Sequence, residues 1–413
     1  MSITRRVFLR NGALAVVGTA ALPGFLTRAA AGAAQTAGVH NKRLVVIFQR
    51  GAADGLNIVV PHGEQAYYAM RPSINIPRKE VLDLDGFFGL HPAMSSFVPL
   101  WNQRHLAIVH AAGSPDPTRS HFDAQDFMES GTPGLKATED GWLNRALHSM
   151  AAPADKSAFR AIALGASLPR ILSGAEPAVA INNLNDFGVG GRNGKAAPIA
   201  NTFESMYANS VDTVLHGTGE QTFEAVKMLK AADPSKYSPA AGADYPRGRF
   251  GDSLKQLAQL IKANLGVQVA FADIGGWDHH VNEGNTQGQI ANVLREFSQS
   301  ISAFWADLGD LADETIIVTM SEFGRTAREN GNRGTDHGHA NVMFLLGGPV
   351  RGGKVYGRWP GLDQSQLYEG RDLALTTDFR RVLGEAVYRH LGNRSLDSVF
   401  PGFENRGFLT FLG

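Results

Sequence analysis

The stretch Leu44-Val45-Val46-Ile47-Phe48, which runs into Gln49-Arg50-Gly51, decides the fold of this 413-residue chain. Five consecutive apolar residues without polar alternation are typical of a strand that is buried on both faces in a parallel sheet. Four more apolar runs share this design, each bordered by polar, Gly-rich residues: 106–110, 267–272, 315–319 and 342–346. The sequence therefore predicts a sheet with several fully buried strands.

Between these runs lie stretches whose apolar residues recur every three or four positions, notably 250–261 and 290–308. This spacing predicts amphipathic helices. Strands that alternate with helices predict an α/β fold of three layers, αβα, with a large, mostly parallel sheet covered on both faces. In such sheets ligands bind just beyond the carboxyl ends of the strands, so the site is expected there.

The first 33 residues contain four arginines and no acidic residue, and they include Thr4-Arg5-Arg6-Val7-Phe8-Leu9-Arg10. This motif, the short apolar run at 13–26 and the Ala-x-Ala-like site at 29–31 are typical of a twin-arginine signal peptide. The apolar run is shorter than the roughly 20 residues that span a bilayer, so no stable membrane span is predicted. We predict a signal peptide at 1–33, a linker at 34–42 and a domain at 43–413, delivered to the periplasm or beyond by the twin-arginine export machinery.

Charge and cysteine content exclude several classes of protein and of site. The chain has 39 basic and 39 acidic residues, and the part after the signal carries a small excess of acid. Such a protein has no field that recruits nucleic acid, so no nucleic-acid partner is predicted. Because there is no cysteine, disulfides, thiolate zinc sites, iron–sulfur clusters and cysteine nucleophiles are excluded. Any metal must bind histidine, carboxylate or hydroxyl groups.

Polar residues gather beside five of the predicted strands, in the segments 50–57, 114–123, 273–280, 321–326 and 334–339. Asp278 and His280 stand two residues apart, which on an extended segment places both on one side and suits sharing a metal ion. Asp336-His337 repeats this combination. These groups best match one or two divalent ions held by carboxylate and imidazole, with zinc as first choice and manganese, magnesium or calcium as alternatives.

Ser120 stands where a helix is predicted to begin, and it would act as the N-cap of that helix. The positive end of the helix dipole also favours a nucleophile at this position. Arg50 and Arg325 lie in neighbouring loops, and a guanidinium there can bind the oxygens of a tetrahedral oxyanion. Paired metals with a serine nucleophile catalyse displacement at phosphorus or sulfur, so small-molecule or polymer esters of phosphate or sulfate are the predicted substrates.

Five motifs resemble those of DUF1501, a family of bacterial proteins exported by the twin-arginine route within the alkaline phosphatase-like superfamily. They are, in chain order, 48–55, 119–125, 276–280, 321–326 and 334–338. The resemblance implies an alkaline phosphatase-like fold and ester hydrolysis. It also implies a metal-bound Ser120 nucleophile, a first metal on Asp278, His280 and His337, and a second metal on Asp54.

One position departs from the superfamily pattern. Superfamily phosphatases carry Asp-His after the strand at 315–319, whereas this chain has Glu322-Phe323, and a phenylalanine cannot bind a metal. Asp336, His339 or His121 fills the gap, or the second metal site is weakened, or the centre holds one metal. Glu322 and Asp336 are kept as candidate ligands.

The same departure supports a second hypothesis, a non-catalytic export or surface-assembly protein that keeps the fold with one or no metal.

A further expectation concerns the region around 150–248, rich in Pro, Ala and Gly around a helical stretch. We predict that it is a cap inserted between core strands that shapes substrate access.

Overall fold

The computed structural model describes residues 42–136, 138–150, 157–184 and 237–413, and the short antiparallel strands β1 (Phe8–Arg10) and β2 (Ala13–Ala15). Most of the predicted signal peptide and linker, and most of the predicted cap, lie outside the described residues. These assignments stay predictions.

The strands after residue 42 form two sheets. They are β3 (Arg43–Gln49), β4 (Val59–Val60), β5 (Leu82–Asp83), β6 (Gly89–Leu90), β7 (Leu106–Gly113), β8 (Ala161–Leu164), β9 (Val179–Ile181), β10 (Val269–Ile274), β11 (Thr315–Ser321), β12 (Asn341–Gly347), β13 (Lys354–Tyr356) and β14 (Thr377–Asp378). Within the described residues, the main sheet has the order β13-β7-β12-β11-β3-β10-β8-β9, with β14 also paired to β7, and only β12 runs antiparallel to its neighbours. The smaller sheet, β4-β6-β5, is antiparallel.

Helices connect and cover these strands. The α-helices are α1 (Gly55–Ile58), α2 (Gln65–Met70), α3 (Val98–Asn102), α4 (His121–Ser130), α5 (Trp142–His148), α6 (Arg249–Lys262), α7 (Gln289–Leu308), α8 (Phe379–Glu385) and α9 (Leu396–Val399). Short 3₁₀ helices span Pro92–Phe97, Arg170–Leu172 and Gly309–Glu314, and a π-helical turn spans Ala386–His390.

The central strand β3 shows how the layers form. Its residues Val45 and Ile47 join a core built with α6 and α7, whereas Leu44, Val46 and Phe48 join a second core built with α4, α5 and α8. Successive side chains of a strand point to opposite faces, so an uninterrupted apolar run requires cover on both. The predicted three-layer α/β class with a mostly parallel sheet is therefore confirmed.

The two helices with the clearest predicted periodicity are also confirmed, since α6 and α7 enclose the stretches 250–261 and 290–308. In the described part of the chain, no helix is both long and apolar enough to cross a membrane.

Candidate metal centre

The loops that carry the predicted site residues meet at one edge of the main sheet. Strands β3, β10 and β11 run parallel, and β7 points the same way because both it and β11 pair antiparallel with β12. The segment that enters β12 therefore arrives at the edge where the other four strands end. This reversal brings 334–339 beside the loops after β3, β7, β10 and β11.

Three histidines and one aspartate occupy the middle of this edge, here called the His–Asp cluster: His121, His280, His337 and Asp278. Nε2 of His337 lies 3.0 Å from Nε2 of His121 and 2.9 Å from Nε2 of His280. The Asp278 carboxylate lies 3.1 Å from Nε2 of His280, 3.4 Å from that of His337 and 3.7 Å from that of His121. A tetrahedral zinc ion with bonds near 2.0–2.1 Å keeps its ligand atoms about 3.3 Å apart. These five distances bracket that spacing, and the ligand atoms of His121, Asp278 and His337 all lie within 4.8 Å of one another. His280 joins this group through its contacts with His337 and Asp278.

The second ring nitrogen of each histidine faces a hydrogen-bond acceptor. Ionised carboxylates and backbone carbonyls only accept, so each Nδ1 carries a proton and donates it. In a neutral ring Nε2 then presents a lone pair, and this is the outer arrangement that metal-binding histidines usually have. The partner of Nδ1 is Glu322 for His121, Asp336 for His280 and the carbonyl oxygen of Arg119 for His337, at 2.8, 3.1 and 2.9 Å.

Lone pairs that face one another at about 3 Å repel unless a proton or a metal ion lies between them. One cation shared by the three rings and Asp278 removes both close nitrogen–nitrogen repulsions at once. The side chains of Asp278 and His280 are 47% and 39% exposed, so water and solutes can reach the cluster. The donor set therefore fits a divalent cation at a solvent-accessible position.

Glu322 lies behind His121 and is fully buried. Its carboxylate accepts hydrogen bonds from His121, from Nε2 of Gln125, from the amide of Gly51 and from the hydroxyl of Ser321, at 2.8–2.9 Å. Burial acts to raise the pKa of Glu322, but hydrogen bonds outweigh it and hold that pKa below its usual range. The bond to Glu322 in turn raises the pKa of His121. The structure thus places Glu322 as a partner of a cluster histidine.

Arg325 joins the loops beneath the cluster. Its buried guanidinium donates to the carbonyl oxygens of Gly51, Ala52 and Trp277 at 2.7–3.1 Å and to the Asp278 carboxylate at 2.5 Å. Although burial opposes it, this contact holds the pKa of Asp278 below its usual range. Gly51 has a φ of 119°, and a Cβ there would lie 2.9 Å from the backbone nitrogen of Asp278, so the loops approach too closely for another residue.

Arg50 is also engaged by neighbouring side chains. Its guanidinium donates to Asp273 at 2.7 Å, to Glu129 at 2.8 Å and to Oε1 of Gln125 at 2.9 Å. Two carboxylates and one amide therefore occupy the group that was predicted to bind an oxyanion.

Ser120 is the N-cap of α4, as predicted, and its side chain accepts a hydrogen bond from the amide of Asp123 at 3.5 Å. The helix ends at Gly131, which adopts the left-handed conformation. Ser120 directly precedes His121, so the first residue of α4 is a cluster histidine. Its role as a nucleophile stays a prediction.

Asp54 lies apart from the His–Asp cluster, in a buried ion pair with Arg71. Both side chains are 2% exposed or less, and both Asp54 oxygens receive hydrogen bonds from the Arg71 guanidinium. Arg71 also donates to the carbonyl oxygens of Thr326 and Ala327 at 2.8 and 2.9 Å. The carboxylate that was predicted to hold a second metal is neutralised by an arginine.

Glu283 completes this buried group. It is fully buried, hydrogen-bonds to Asp54, and accepts hydrogen bonds from Thr335 at 2.9 Å and Asn57 at 3.3 Å. Burial, together with the charge of Asp54, raises the pKa of Glu283 well above its usual range. A protonated Glu283 beside an ionised Asp54 and Arg71 gives the group no net charge.

This assignment predicts a pH effect on stability. A raised native pKa means that Glu283 takes up a proton on folding, so its contribution is complete below the ordinary pKa near 4.5 and falls as the pH rises towards the native value. Glu283→Gln keeps a neutral hydrogen-bonding side chain without that proton. In urea unfolding between pH 5 and 8, the free energy of unfolding of the variant should rise relative to that of the natural protein by up to about 1.4 kcal/mol per pH unit. Parallel pH profiles for the two proteins would contradict a protonated Glu283.

The structure also places residues that the sequence left undecided. Of the three alternatives for the gap at Phe323, His121 reaches the cluster, Asp336 hydrogen-bonds to His280, and His339 stacks on Tyr368 with ring centroids 4.5 Å apart. Sequence reasoning missed the ion pair of Arg71 with Asp54 and the role of Glu283 entirely. No motif or periodicity marked either residue.

Comparisons with known proteins give distant structural likenesses. No curated protein matches the chain by sequence. Among solved structures, the lipoteichoic acid synthase LtaP from Listeria monocytogenes is 7% identical to this chain, with a TM-score of 0.33. The match covers 75% of this chain and 66% of the LtaP chain, so this chain spans slightly less than two thirds of that protein.

Two further solved structures are similar at the same level. The C-terminal periplasmic domain of EcEptC from Escherichia coli, in complex with Zn, is 9% identical with a TM-score of 0.34, over 74% of this chain and 72% of its own. The PsFucS1 sulfatase from Pseudoalteromonas sp. is 10% identical with a TM-score of 0.40, and the match covers 93% of this chain and 77% of the sulfatase chain.

A family profile gives the clearer result. The profile of DUF1501, described as a protein of unknown function, matches residues 90–395. This match covers most of the chain and includes all four residues of the His–Asp cluster. The chain therefore belongs to the DUF1501 family.

Proposed function

We propose that this protein is a metal-dependent hydrolase of phosphate or sulfate esters, exported by the twin-arginine route, with one divalent ion held by His121, His280, His337 and Asp278. The observation that carries the proposal is the convergence of three Nε2 atoms and a carboxylate, with each opposite Nδ1 bound to an acceptor. The motif resemblance to the alkaline phosphatase-like superfamily supports the reaction class.

Zinc is the ion that the donor set favours, because three imidazoles and one carboxylate suit it better than they suit oxygen-preferring magnesium or calcium. Manganese remains the first alternative. When bound, the ion would act as a Lewis acid that polarises an ester oxygen. The partial exposure of Asp278 and His280 supports a catalytic role, since substrate and water can reach the ligands.

The chain's own residues divide the remaining work. We assign Ser120 as the nucleophile, because it stands at the N-terminus of α4 next to His121. Its Oγ would form a bond to phosphorus or sulfur as the ester bond to the alcohol breaks and the alcohol leaves. Water would then cleave the Ser120 ester, which releases phosphate or sulfate and restores the hydroxyl. Arg325 and Arg50 act as positioning residues, since carbonyl oxygens and carboxylates occupy their guanidinium groups. Glu322 and Asp336 orient the rings of His121 and His280 through Nδ1.

A second candidate function is a non-catalytic export or surface-assembly protein with one structural ion. One observation favours it: three histidines and one aspartate are enough protein ligands to fill a tetrahedral shell, whereas catalytic zinc usually keeps one position open. Metal content together with turnover separates the two. A mature protein that holds about one ion per chain and hydrolyses neither aryl phosphates nor aryl sulfates would support the structural role.

Substitution of Ser120 tests the hydrolase assignment. Ser120→Ala should lower turnover of an aryl phosphate or aryl sulfate by at least about 1,000-fold, because the attacking group is removed, while metal content stays unchanged. Ser395→Ala is the control, since Ser395 stands at the N-cap position of α9 without a side-chain cap hydrogen bond, and its substitution removes a serine hydroxyl from a helix start without touching the cluster. Full turnover in Ser120→Ala would refute Ser120 as nucleophile.

A further inference from the structure

A second concave site lies at the β13 edge of the main sheet, outside the His–Asp cluster. This groove, here called the basic groove, has a volume of about 480 Å³. Its lining includes Lys354, Tyr356, Arg358, Thr376, Arg381 and Phe408. The whole lining contains three cations, two threonines and two aromatic rings, but no acidic residue.

The three cations lack acidic partners within the described part of the chain. Lys354 and Arg358 are exposed, and Nζ of Lys354 lies 4.8 Å from the ring centre of Tyr356. Arg381 donates to the carbonyl oxygen of Gly407 at 2.5 Å, a contact that leaves its positive charge uncompensated. Three like charges in one concavity repel one another, and an anion bound among them would remove that repulsion.

Two acids close to the groove residues along the chain, Asp378 and Glu385, are engaged by other groups. The Asp378 carboxylate binds Arg380 at 2.7 Å and caps α8. Glu385 is fully buried and accepts hydrogen bonds from the amides of Thr410 and Leu412 at 2.9 and 3.1 Å. Within the described residues, neither carboxylate forms an ion pair with Lys354, Arg358 or Arg381.

A short segment links the basic groove to the His–Asp cluster. Arg371 donates to the carbonyl oxygen of His337, and five residues later Thr376 lines the groove, where its amide binds the carbonyl of Ala111 in β7. An extended chain advances at most about 3.6 Å per residue, so the Cα atoms of Arg371 and Thr376 are no more than about 18 Å apart. Arg358 lies at this end of the groove, because its carbonyl oxygen accepts a hydrogen bond from the Thr376 hydroxyl at 2.7 Å. Lys354 lies further from the cluster, because it pairs with Ala107 whereas Thr377 pairs with Ala112 near the cluster end of β7. A ligand that reaches from the cluster to Lys354 is therefore an extended chain of several units.

We infer that the basic groove binds an anionic group of the substrate, and that the substrate is an oligomeric ester with at least two tetrahedral anionic groups, phosphate or sulfate. One group would be hydrolysed at the His–Asp cluster while another is held among Lys354, Arg358 and Arg381. The inference about the substrate rests on the proposed hydrolase function. The inference about anion binding in the groove does not.

Binding measurements test the groove without any turnover. Titration calorimetry with tripolyphosphate and, separately, with a short sulfated glucan should give affinities at least about 10-fold weaker for Lys354→Ala/Arg358→Ala than for the natural protein, because two charged contacts are lost. The matched control is Arg78→Ala/Lys79→Ala, which removes two exposed cations elsewhere, one of them also beside a tyrosine ring. It should change neither affinity more than about twofold.

The outcomes separate the groove from the hydrolase. If neither probe binds the natural protein, or if both double variants weaken binding equally, the groove inference is wrong. Preference for one probe identifies phosphate or sulfate as the natural group. With an oligomeric ester, Lys354→Ala/Arg358→Ala should raise KM by about 10-fold and leave the KM for a small aryl ester unchanged. Selective binding without hydrolysis of any ester keeps the groove and rejects the proposed function.

Discussion

His337→Ala is expected to release the bound metal ion. His337 stands between the other two histidines, with its Nε2 within 3.0 Å of both, so its loss removes one ligand and opens the shell that the others share. The metal content of the purified protein, measured by elemental analysis, should fall from about one ion per chain to below about 0.1, and turnover should fall with it.

The same substitution has a stability signature. A ligand that binds only the native state raises the midpoint of thermal unfolding, and this gain disappears when the site is lost. His337→Ala should therefore unfold at the temperature of the natural protein treated with chelator, and it should not respond to added zinc. Asp336→Asn changes the partner of His280 Nδ1, which Asn330 also contacts, and should weaken metal affinity by about 10- to 100-fold.

A matched histidine provides the control. His148 lies outside the cluster, and its Nδ1 also faces a carboxylate, that of Glu176, at 3.1 Å. His148→Ala should keep its metal and its response to zinc. Retention of a full complement of metal in His337→Ala would show that the cluster is not the metal site.

The sequence was sufficient to predict the main sheet because its strands are buried on both faces. Runs such as 44–48 and 315–319 have no polar alternation, and only a covered sheet accommodates them. The position of the site was predicted at the carboxyl ends of these strands because the strands were expected to run parallel. The antiparallel course of β12 was not predicted, although the placement of 334–339 at that edge depends on it.

The cluster could be predicted only in part. Asp278, His280 and His337 belong to compact motifs whose spacing suits a shared ion, and they do come together. His121 was one of three alternatives, because nothing in the sequence decides which distant histidine turns towards the gap left by Phe323. Its selection depends on the buried acceptor Glu322, whose position beside His121 is a tertiary feature.

The ion pair of Asp54 with Arg71 could not be predicted from the sequence for a different reason. Arg71 follows Asp54 by 17 residues, after the end of α2, and no periodic pattern joins the two. An Asp before a Gly at a strand end has the same appearance in sequence whether it binds a metal or an arginine. Only burial of both partners distinguishes these possibilities.

Arg71→Met is expected to lower the free energy of unfolding by about 3–5 kcal/mol, because it leaves the Asp54 carboxylate buried without its partner. The pKa of Asp54 is held below its usual range despite burial, so the group is ionised in the native protein at neutral pH. Its stabilisation is present above the ordinary aspartate pKa and is lost as the pH falls through the native value. The loss caused by Arg71→Met should therefore shrink in acid.

A double-mutant cycle isolates the pair. Asp54→Asn should also destabilise, and Arg71→Met/Asp54→Asn should cost less than the sum of the two single changes, because neither charge is then left alone. Urea unfolding in chelator removes any contribution of bound metal. Arg380→Met breaks the more exposed pair with Asp378 and should cost no more than about 1 kcal/mol.

Metal content of Asp54→Asn then decides between one ion and two. Asp54 has both oxygens on Arg71 and lies outside the His–Asp cluster, so its substitution should leave about one ion per chain, whereas Asp278→Asn should remove that ion. Arg71 supplies beside Asp54 the positive charge that a second cation would otherwise provide. If the natural protein instead binds two ions and Asp54→Asn binds one, Asp54 is a metal ligand and Arg71 must move when the second ion binds. The coupling free energy between Asp54 and Arg71 in the double-mutant cycle should then differ between chelator and zinc.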